Sequence, residues 1–388
     1  MDLRPHAAPP DDLLPAFAQR MAGLLLLQAP ALDSLLGLVG TLVGPASAEP
    51  AALAAALAAR FPGAKIAGCT TAGEIIDGGH AKGAVVVSAI VSPTVRWAVR
   101  AVTDLGGLDE ARAQKTADEL FADLGTTRDD VDPQRNFCLT FIDGLSMKEE
   151  HVVSMMADAL AGLPLLGGSS GDDLAFQATR VFANGEALSG AAVFVLAESK
   201  QPYEIIKHQH YTTTPRSLVI TKADVANRRV YEMDGYPALE AYARALGMKV
   251  EDVNGDVCFM NPLTFVYGGE IYVRSIQRVE PDQSIVFYCG IEEGMVLSLG
   301  GHEEMVAALD RDLSAVSAKS GKADLFIACN CILRALETDK RNLFDEIGTA
   351  LTKAAHHVIG FDTYGEQLNG LHINQTLVGV ALRGEARA

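Results

Sequence analysis

Basic residues are scarce in this chain. Its 388 residues hold 32 Lys and Arg against 49 Asp and Glu, for a formal net charge of -17. Such a surface repels phosphate backbones and anionic lipid, and no basic stretch overrides it locally. Nucleic acid and membrane surfaces are therefore not the expected partners. Cysteine is sparse as well, at Cys69, Cys138, Cys258, Cys289, Cys329 and Cys331, with no CxxC pair. That excludes a disulfide scaffold and fits reduced, buried thiols in a cytoplasmic protein. Long apolar runs are missing too. The nearest, residues 21–44, is interrupted by Gln28, Pro30 and Asp33, whereas a membrane span needs roughly 20 mostly apolar residues. It reads as two short amphipathic helices. The start, MDLRPHAAPPDDLLPAF, has no positive region ahead of an apolar core, so no signal peptide is expected.

What remains is an ordinary globular composition, 49% apolar and 21% charged, long enough for two or three domains. AALAAALAAR (51–60) reads as a helix stopped by FPG, and AKIAGCTTAGEI as a strand entering a glycine turn. ARAQKTADELFADLG is a helix ending at Gly125, and Asn184-Gly185 is a hairpin turn. Helices and strands alternate to the C-terminus. The pattern predicts a mixed α/β fold of two units, each a mixed sheet covered by helices, with a pocket between or within them. The first unit spans 1–200, with a helical leader over 1–50, and the second spans 201–388. Internal duplication is conceivable, but no convincing short repeat supports it.

Several stretches carry candidate chemistry. GGSSGDD (167–173) lacks the lysine of a Walker loop. Gly167-Gly168-Ser169-Ser170-Gly171 matches the letters of a nucleophile elbow around Ser169. A strand-to-turn loop whose Asp172 accepts backbone N–H bonds is the better reading. In GCTTAGEI (68–75), Cys69 reads as a small buried apolar residue, and Glu74 as either an amine ligand or a turn pin. His208 and His210, two apart in HQHY, share a face of a regular strand and either bracket a metal or line a solvated face. Zinc would need more ligands than this. CNCILR (329–334) offers two thiols and Arg334, whose fork suits a carboxylate. In IGFDTYGEQLNGLHINQT, Glu366 and Asn374 lie beside apolar strands and need partners if buried.

These motifs together resemble the FIST-domain family. GCTTAGEI, FIDGLS and GGSSGDD look like its N-terminal motifs, and YEMDGYPALEAYARALG, NPLTF, CNCILR and FDTYGEQ…HINQT like its C-terminal ones, over roughly residues 50–380. The resemblance implies a sensory, non-enzymatic protein that binds a small ligand, amino acids being one proposal, and feeds bacterial signal transduction through a partner in trans. One branch of the family binds haem b, senses nitric oxide and regulates a histidine kinase. On that expectation His208 or His210 holds the iron, and Met260, Phe265 and Tyr267 wall the pocket. The alternative is an amino-acid sensor using Glu74, Asp172, Arg334, Tyr364, Glu366 and Asn374. A Ser169 or Cys69 hydrolase is a third reading, and a homodimer is compatible with any of them.

Overall fold

The computed structural model describes residues 38–43, 50–77, 79–90, 92 and 94–384, so most of the expected helical leader lies outside the described residues. At its end, Leu38–Val43 is a strand rather than a helix. The β-branched Val39, Thr41 and Val43 favour extended backbone. The segment is paired on both sides, parallel to Lys65–Thr70 and antiparallel to Val85–Ile90.

The architecture is mixed α/β, with sheets covered by helices, as the alternating pattern predicts. One supersecondary unit occurs three times. A strand leads through helix to a parallel neighbour, as parallel pairing requires a crossover. A short hairpin follows, and then a strand returning antiparallel to the first. The first unit runs Leu38–Val43, helix Pro50–Arg60, Lys65–Thr70, hairpin Glu74–Ile76 and Gly79–Ala81, and Val85–Ile90. The second runs Asn136–Ile142, helix Glu149–Ala159, Leu165–Ser169, hairpin Val181–Ala183 and Glu186–Leu188, and Ala191–Ser199. The third runs Ala323–Cys331, helices Ile332–Lys340 and Phe344–Ala354, Ala355–Thr363, hairpin Glu366–Leu368 and Leu371–Ile373, and Leu377–Leu382.

No hairpin completes its own sheet. The first unit's hairpin pairs with Ala355–Thr363 of the third, the second's with Lys65–Thr70 of the first, and the third's with Leu165–Ser169 of the second. Where the strands end, three backbone bonds repeat the cycle: Gly171 N to Thr70 O, Tyr364 N to Ser169 O, and Ala72 N to Asp362 O, at 3.0, 3.1 and 3.0 Å. The exchange has a sequence signature after all. Gly68-Cys-Thr-Thr-Ala-Gly-Glu74 and Gly360-Phe-Asp-Thr-Tyr-Gly-Glu366 share G-x-x-T-x-G-E, each followed six residues later by histidine, His80 and His372.

The inner faces of the three sheets meet in one apolar core that includes Cys69, Phe141, Cys329 and Phe361. Helices cover the outer faces, each with its own apolar layer. Asp109 caps helix Glu110–Leu124 by accepting from Arg112 N, and Gly125 ends it with φ 75°, a left-handed conformation cheap only for glycine. Between the second and third units, strands from Tyr211–Asp224 to Val296–His302 form an eight-stranded sheet packed on helix Ala238–Leu246. No helix among the described residues is long and apolar enough to cross a membrane.

Candidate functional site

Two parallel strands, Ala323–Cys331 and Ala355–Thr363, end side by side with Asn330 opposite Asp362. In α/β sheets, ligands collect beyond the carboxyl ends of such strands. Asn330 Nδ2 donates to Asp362 Oδ1 at 2.7 Å. Arg334, four residues on in the first turn of helix Ile332–Lys340, donates from Nη1 to Asn330 Oδ1 at 2.9 Å. The exchanged hairpin contributes His80. Its Nε2 lies 2.6 Å from Asp362 Oδ2, and its ring stacks on Phe344 with centroids 4.2 Å apart. Gly73 lets the backbone pass here, because a Cβ there would strike Asp362 and His80. His80, Asn330 and Arg334, with apolar Ile75, Ile347, Leu351 and Leu377, line a cavity of ≈ 20 Å³, room for about one water.

Arg334 is 1% exposed, and its Nε and Nη2 have no hydrogen-bond partner among the described residues. These two groups form one edge of the guanidinium, the fork that grips a carboxylate through two parallel bonds. Burial lowers the arginine's pKa, while Glu337, Tyr211, Asp362 and Glu366 oppose the shift. A guanidinium stays charged even so. A buried cation with unused donors is costly, and an anion seated on that edge would recover much of the cost.

The other carboxylates are committed to structure. Glu74 is fully buried, takes the Thr71 hydroxyl on Oε1 and Ala84 N at 3.0 Å on Oε2, and has its pKa raised by burial. Glu366 occupies the equivalent place in the third unit. It accepts from the Thr363 hydroxyl, from Thr376 N at 3.1 Å and from Thr376 Oγ1 at 2.6 Å, and burial pushes its pKa up to about 8. Asp172 accepts from the backbone N–H of Phe176, Gln177 and Ala178 at 2.9, 2.6 and 2.9 Å, and from Tyr364 Oη at 2.5 Å. It is the loop anchor that its sequence context suggests. Burial raises its pKa, but these bonds outweigh burial and hold the carboxyl below its ordinary value.

The amino-acid constellation is therefore not one site. Arg334 lines the cavity. Glu74 belongs to the hairpin that walls it. Asp172 and Tyr364 pin a separate loop. Glu366 and Asn374 sit at the end of the second unit's sheet, where Gln367 Nε2 bridges Ser169 Oγ at 2.9 Å and His372 Nδ1 at 3.2 Å. Ser169 is fully buried and holds that amide rather than an imidazole. Burial, reinforced by Cys329 and Glu74, pushes the Cys69 thiol well up, the opposite of an activated nucleophile. All six cysteines are free and buried.

The haem constellation is not brought together either. His208 is buried, with Nδ1 2.8 Å from Asp312 Oδ2, and His210 lies with Nε2 3.2 Å from Glu337 Oε1. Each imidazole is tied to its own carboxylate. Burial, aided by Arg334, His210 and Arg311, pushes His208 down to about 2, so its ring is neutral and Nδ1–H donates to Asp312. Alternate residues of this stretch, Lys207 and Gln209, contact Ile271 in the strand paired with Phe265 and Tyr267. The histidines bond instead to Asp312 and Glu337 on helices Met305–Ser320 and Ile332–Lys340, and Tyr267 is 63% exposed. Met260 ends helix Gly255–Met260 and is only partly buried. Among the described residues no group of three or more His, Cys, Asp or Glu is arranged to hold a metal ion.

Two family models match the chain, the FIST N domain over residues 38–236 and the FIST C domain over 238–369. The chain belongs to the FIST family. The general role of FIST-domain proteins is signal sensing. An uncharacterized protein of Methanocaldococcus jannaschii is 24% identical to this FIST protein over 305 residues, 69% of this chain and 58% of that relative. The chain thus spans less than two thirds of the relative's length.

Sequence reasoning missed His80, Phe344 and Asn330 as parts of the FIST protein's cavity. For His80 a signal was present, the histidine six residues after each G-x-x-T-x-G-E. For Asn330 it was the spacing of four to Arg334, which places two side chains one above the other only if CNCILR runs from strand into helix.

Proposed function

We propose that this FIST protein is a sensor of a small carboxylate-bearing ligand, held by Arg334 at the strand ends of the third unit. The observation that carries the reading is the buried guanidinium edge, Nε and Nη2, on a residue lining a cavity. Asn330 fixes the guanidinium from its other side, and Asp362 fixes Asn330, so the fork is oriented before a ligand arrives. The start of helix Ile332–Lys340 adds positive potential there. A carboxylate is larger than the one water the cavity holds, so ligand binding would favour an arrangement in which the His80 hairpin has moved off Phe344. The altered surface would then be read by a signalling partner in trans, such as a histidine kinase. A thermal-shift panel of small carboxylates on the intact chain tests the reading. Saturable stabilisation that disappears in Arg334→Gln is expected, and equal stabilisation of both proteins would count against the site.

The nitric-oxide reading has one favourable feature: His208 Nε2 and His210 Nδ1 are each buried without a partner among the described residues, while Asp312 and Glu337 hold the opposite ring nitrogens. That is how a metal-binding imidazole is oriented. The residues expected to wall a haem face another side of the strand, so the set does not fit the group, and the carboxylate reading has the stronger support.

A further inference from the structure

The three repeated units are not finished alike. In the second and third, the returning strand has a further antiparallel neighbour on its outer side. Ala191–Ser199 is flanked there by Val95–Thr103, and Leu377–Leu382 by Tyr203–His208. In the first unit the returning strand Val85–Ile90 ends its sheet, with no outer neighbour among the described residues. Its composition is not that of an edge. The outer strands of the other units carry charge, as exposed edges do. Arg96 and Arg100 pair with Glu198 and Asp123, and Glu204 and Lys207 pair with Lys319 and Glu270. Val85–Ile90, VVVSAI, has no charge, no proline and no bulge in its register with Leu38–Val43. A continuous apolar run of this kind belongs inside a sheet. Val86 and Ile90 lie against the central core, and Val85 and Val87 against the layer under helix Pro50–Arg60. All four are only partly buried, whereas Leu377–Leu382 is buried throughout. A sixth strand would complete that burial and pair the open row of backbone groups.

We propose that a second copy of the chain supplies this strand, through a two-fold axis at Ser88. An axis perpendicular to the sheet makes the two strands antiparallel, the direction that both outer strands of the other units take. It also keeps each face on its own side. Val86 of one copy falls opposite Ile90 of the other on the core face, and Val87 opposite Ala89 on the helix face. Apolar cross-strand pairs of this kind stabilise a ladder. Each copy carries a formal net charge of -17, and like charges set opposite one another would oppose pairing. Val85–Ile90 brings none to the contact. The two five-stranded sheets then become one sheet running through the dimer.

Sedimentation velocity of the full chain over a micromolar concentration series should show a dimer. Ala89→Lys places a charge on each side of the axis at an exposed position. It should weaken self-association at least about tenfold with the circular dichroism spectrum unchanged. Ser88→Cys sets one new thiol from each copy at the axis. The six native cysteines are buried, so a short thiol–thiol cross-linker should join this variant into dimers and leave the wild type unjoined. A monomer at every concentration would overturn the proposal. Amide hydrogen exchange then identifies the reason: slow exchange over residues 85–90 means that another segment of the same chain covers the edge, and fast exchange means that the edge stays open. A dimer that tolerates Ala89→Lys and is not cross-linked in Ser88→Cys would also overturn it, because the copies would meet elsewhere.

Discussion

Glu366 offers a sharp test of the buried polar core. Its carboxyl is fully buried, and burial outweighs the three hydrogen bonds from Thr363 and Thr376, so its pKa stands at about 8 rather than the ordinary 4.5. The folded state therefore holds this proton over a range where the unfolded chain has released it. Stability conferred by the proton is present below pH 4.5 and is lost progressively as pH rises toward 8. A displacement of that size corresponds to roughly 3–5 kcal/mol, at ~1.4 kcal/mol per pH unit. Glu366→Gln keeps the shape and removes the charge. Its amide oxygen can still accept from Thr376 N and Oγ1, and its amide nitrogen can donate to the Thr363 hydroxyl. Urea unfolding of both proteins at pH 5.5, 7 and 9 separates this group from the general repulsion of an acidic chain, because the other charges cancel in the difference. The variant should gain on the wild type by about 2–4 kcal/mol between the lowest and highest pH. Parallel pH profiles would refute the reasoning and place a compensating cation or water at the carboxylate.

His80→Ala removes the tie between the exchanged hairpin and Asp362, and should cost about 1.5–3 kcal/mol by urea denaturation. Asp172→Ala strips three backbone N–H groups of their acceptor and should cost roughly 2–3 kcal/mol, with new proteolytic cleavage within residues 173–178. A 350–700 nm spectrum before and after ferrous haem and nitric oxide are added should show no stoichiometric Soret band that moves with the gas. If it does, His208→Ala and His210→Ala identify the ligand, because His208 Nε2 and His210 Nδ1 are both buried without a hydrogen-bond partner among the described residues. Thiol reagent should leave the six buried cysteines unmodified in the native chain and label them after denaturation.

Local chemistry made much of this fold readable. Gly125 ends its helix with positive φ, and Asn184-Gly185 turns its hairpin with φ of 45° and 98°, because left-handed backbone costs glycine and asparagine least. Asp172 could be read as a backbone acceptor because glycines and serines around it mark a turn. What could not be read was who pairs with whom. His80 meets Asp362 across 282 residues, and no local periodicity reports such a contact. The site residues failed to assemble for the same reason. Glu74, Arg334 and Glu366 are each strand-end or helix-start polar groups, but the hairpin exchange sends Glu74 and Glu366 to opposite sheets. The helix Ile332–Lys340 was hidden by the cysteines before it, which suggested thiol chemistry where the chain simply turns from strand to helix.

The cyclic hairpin exchange also bears on how the chain can be made and cut. Ala355–Thr363 and Leu165–Ser169 each acquire an outer neighbour from a distant part of the sequence. Until that neighbour arrives, each presents an open row of N–H and C=O groups, the form in which strands recruit the wrong partner. A fragment ending near residue 200 would lack the hairpin that closes Leu165–Ser169, and the complementary fragment would lack the one that closes Ala355–Thr363. Neither half should survive alone as a soluble monomer, yet the two co-expressed should find each other, since each carries the other's missing edge. The ring also delays closure during synthesis until the last hairpin leaves the ribosome. A protein built this way depends on the hairpin at residues 366–373 to protect the edge of a strand as early as Leu165–Ser169.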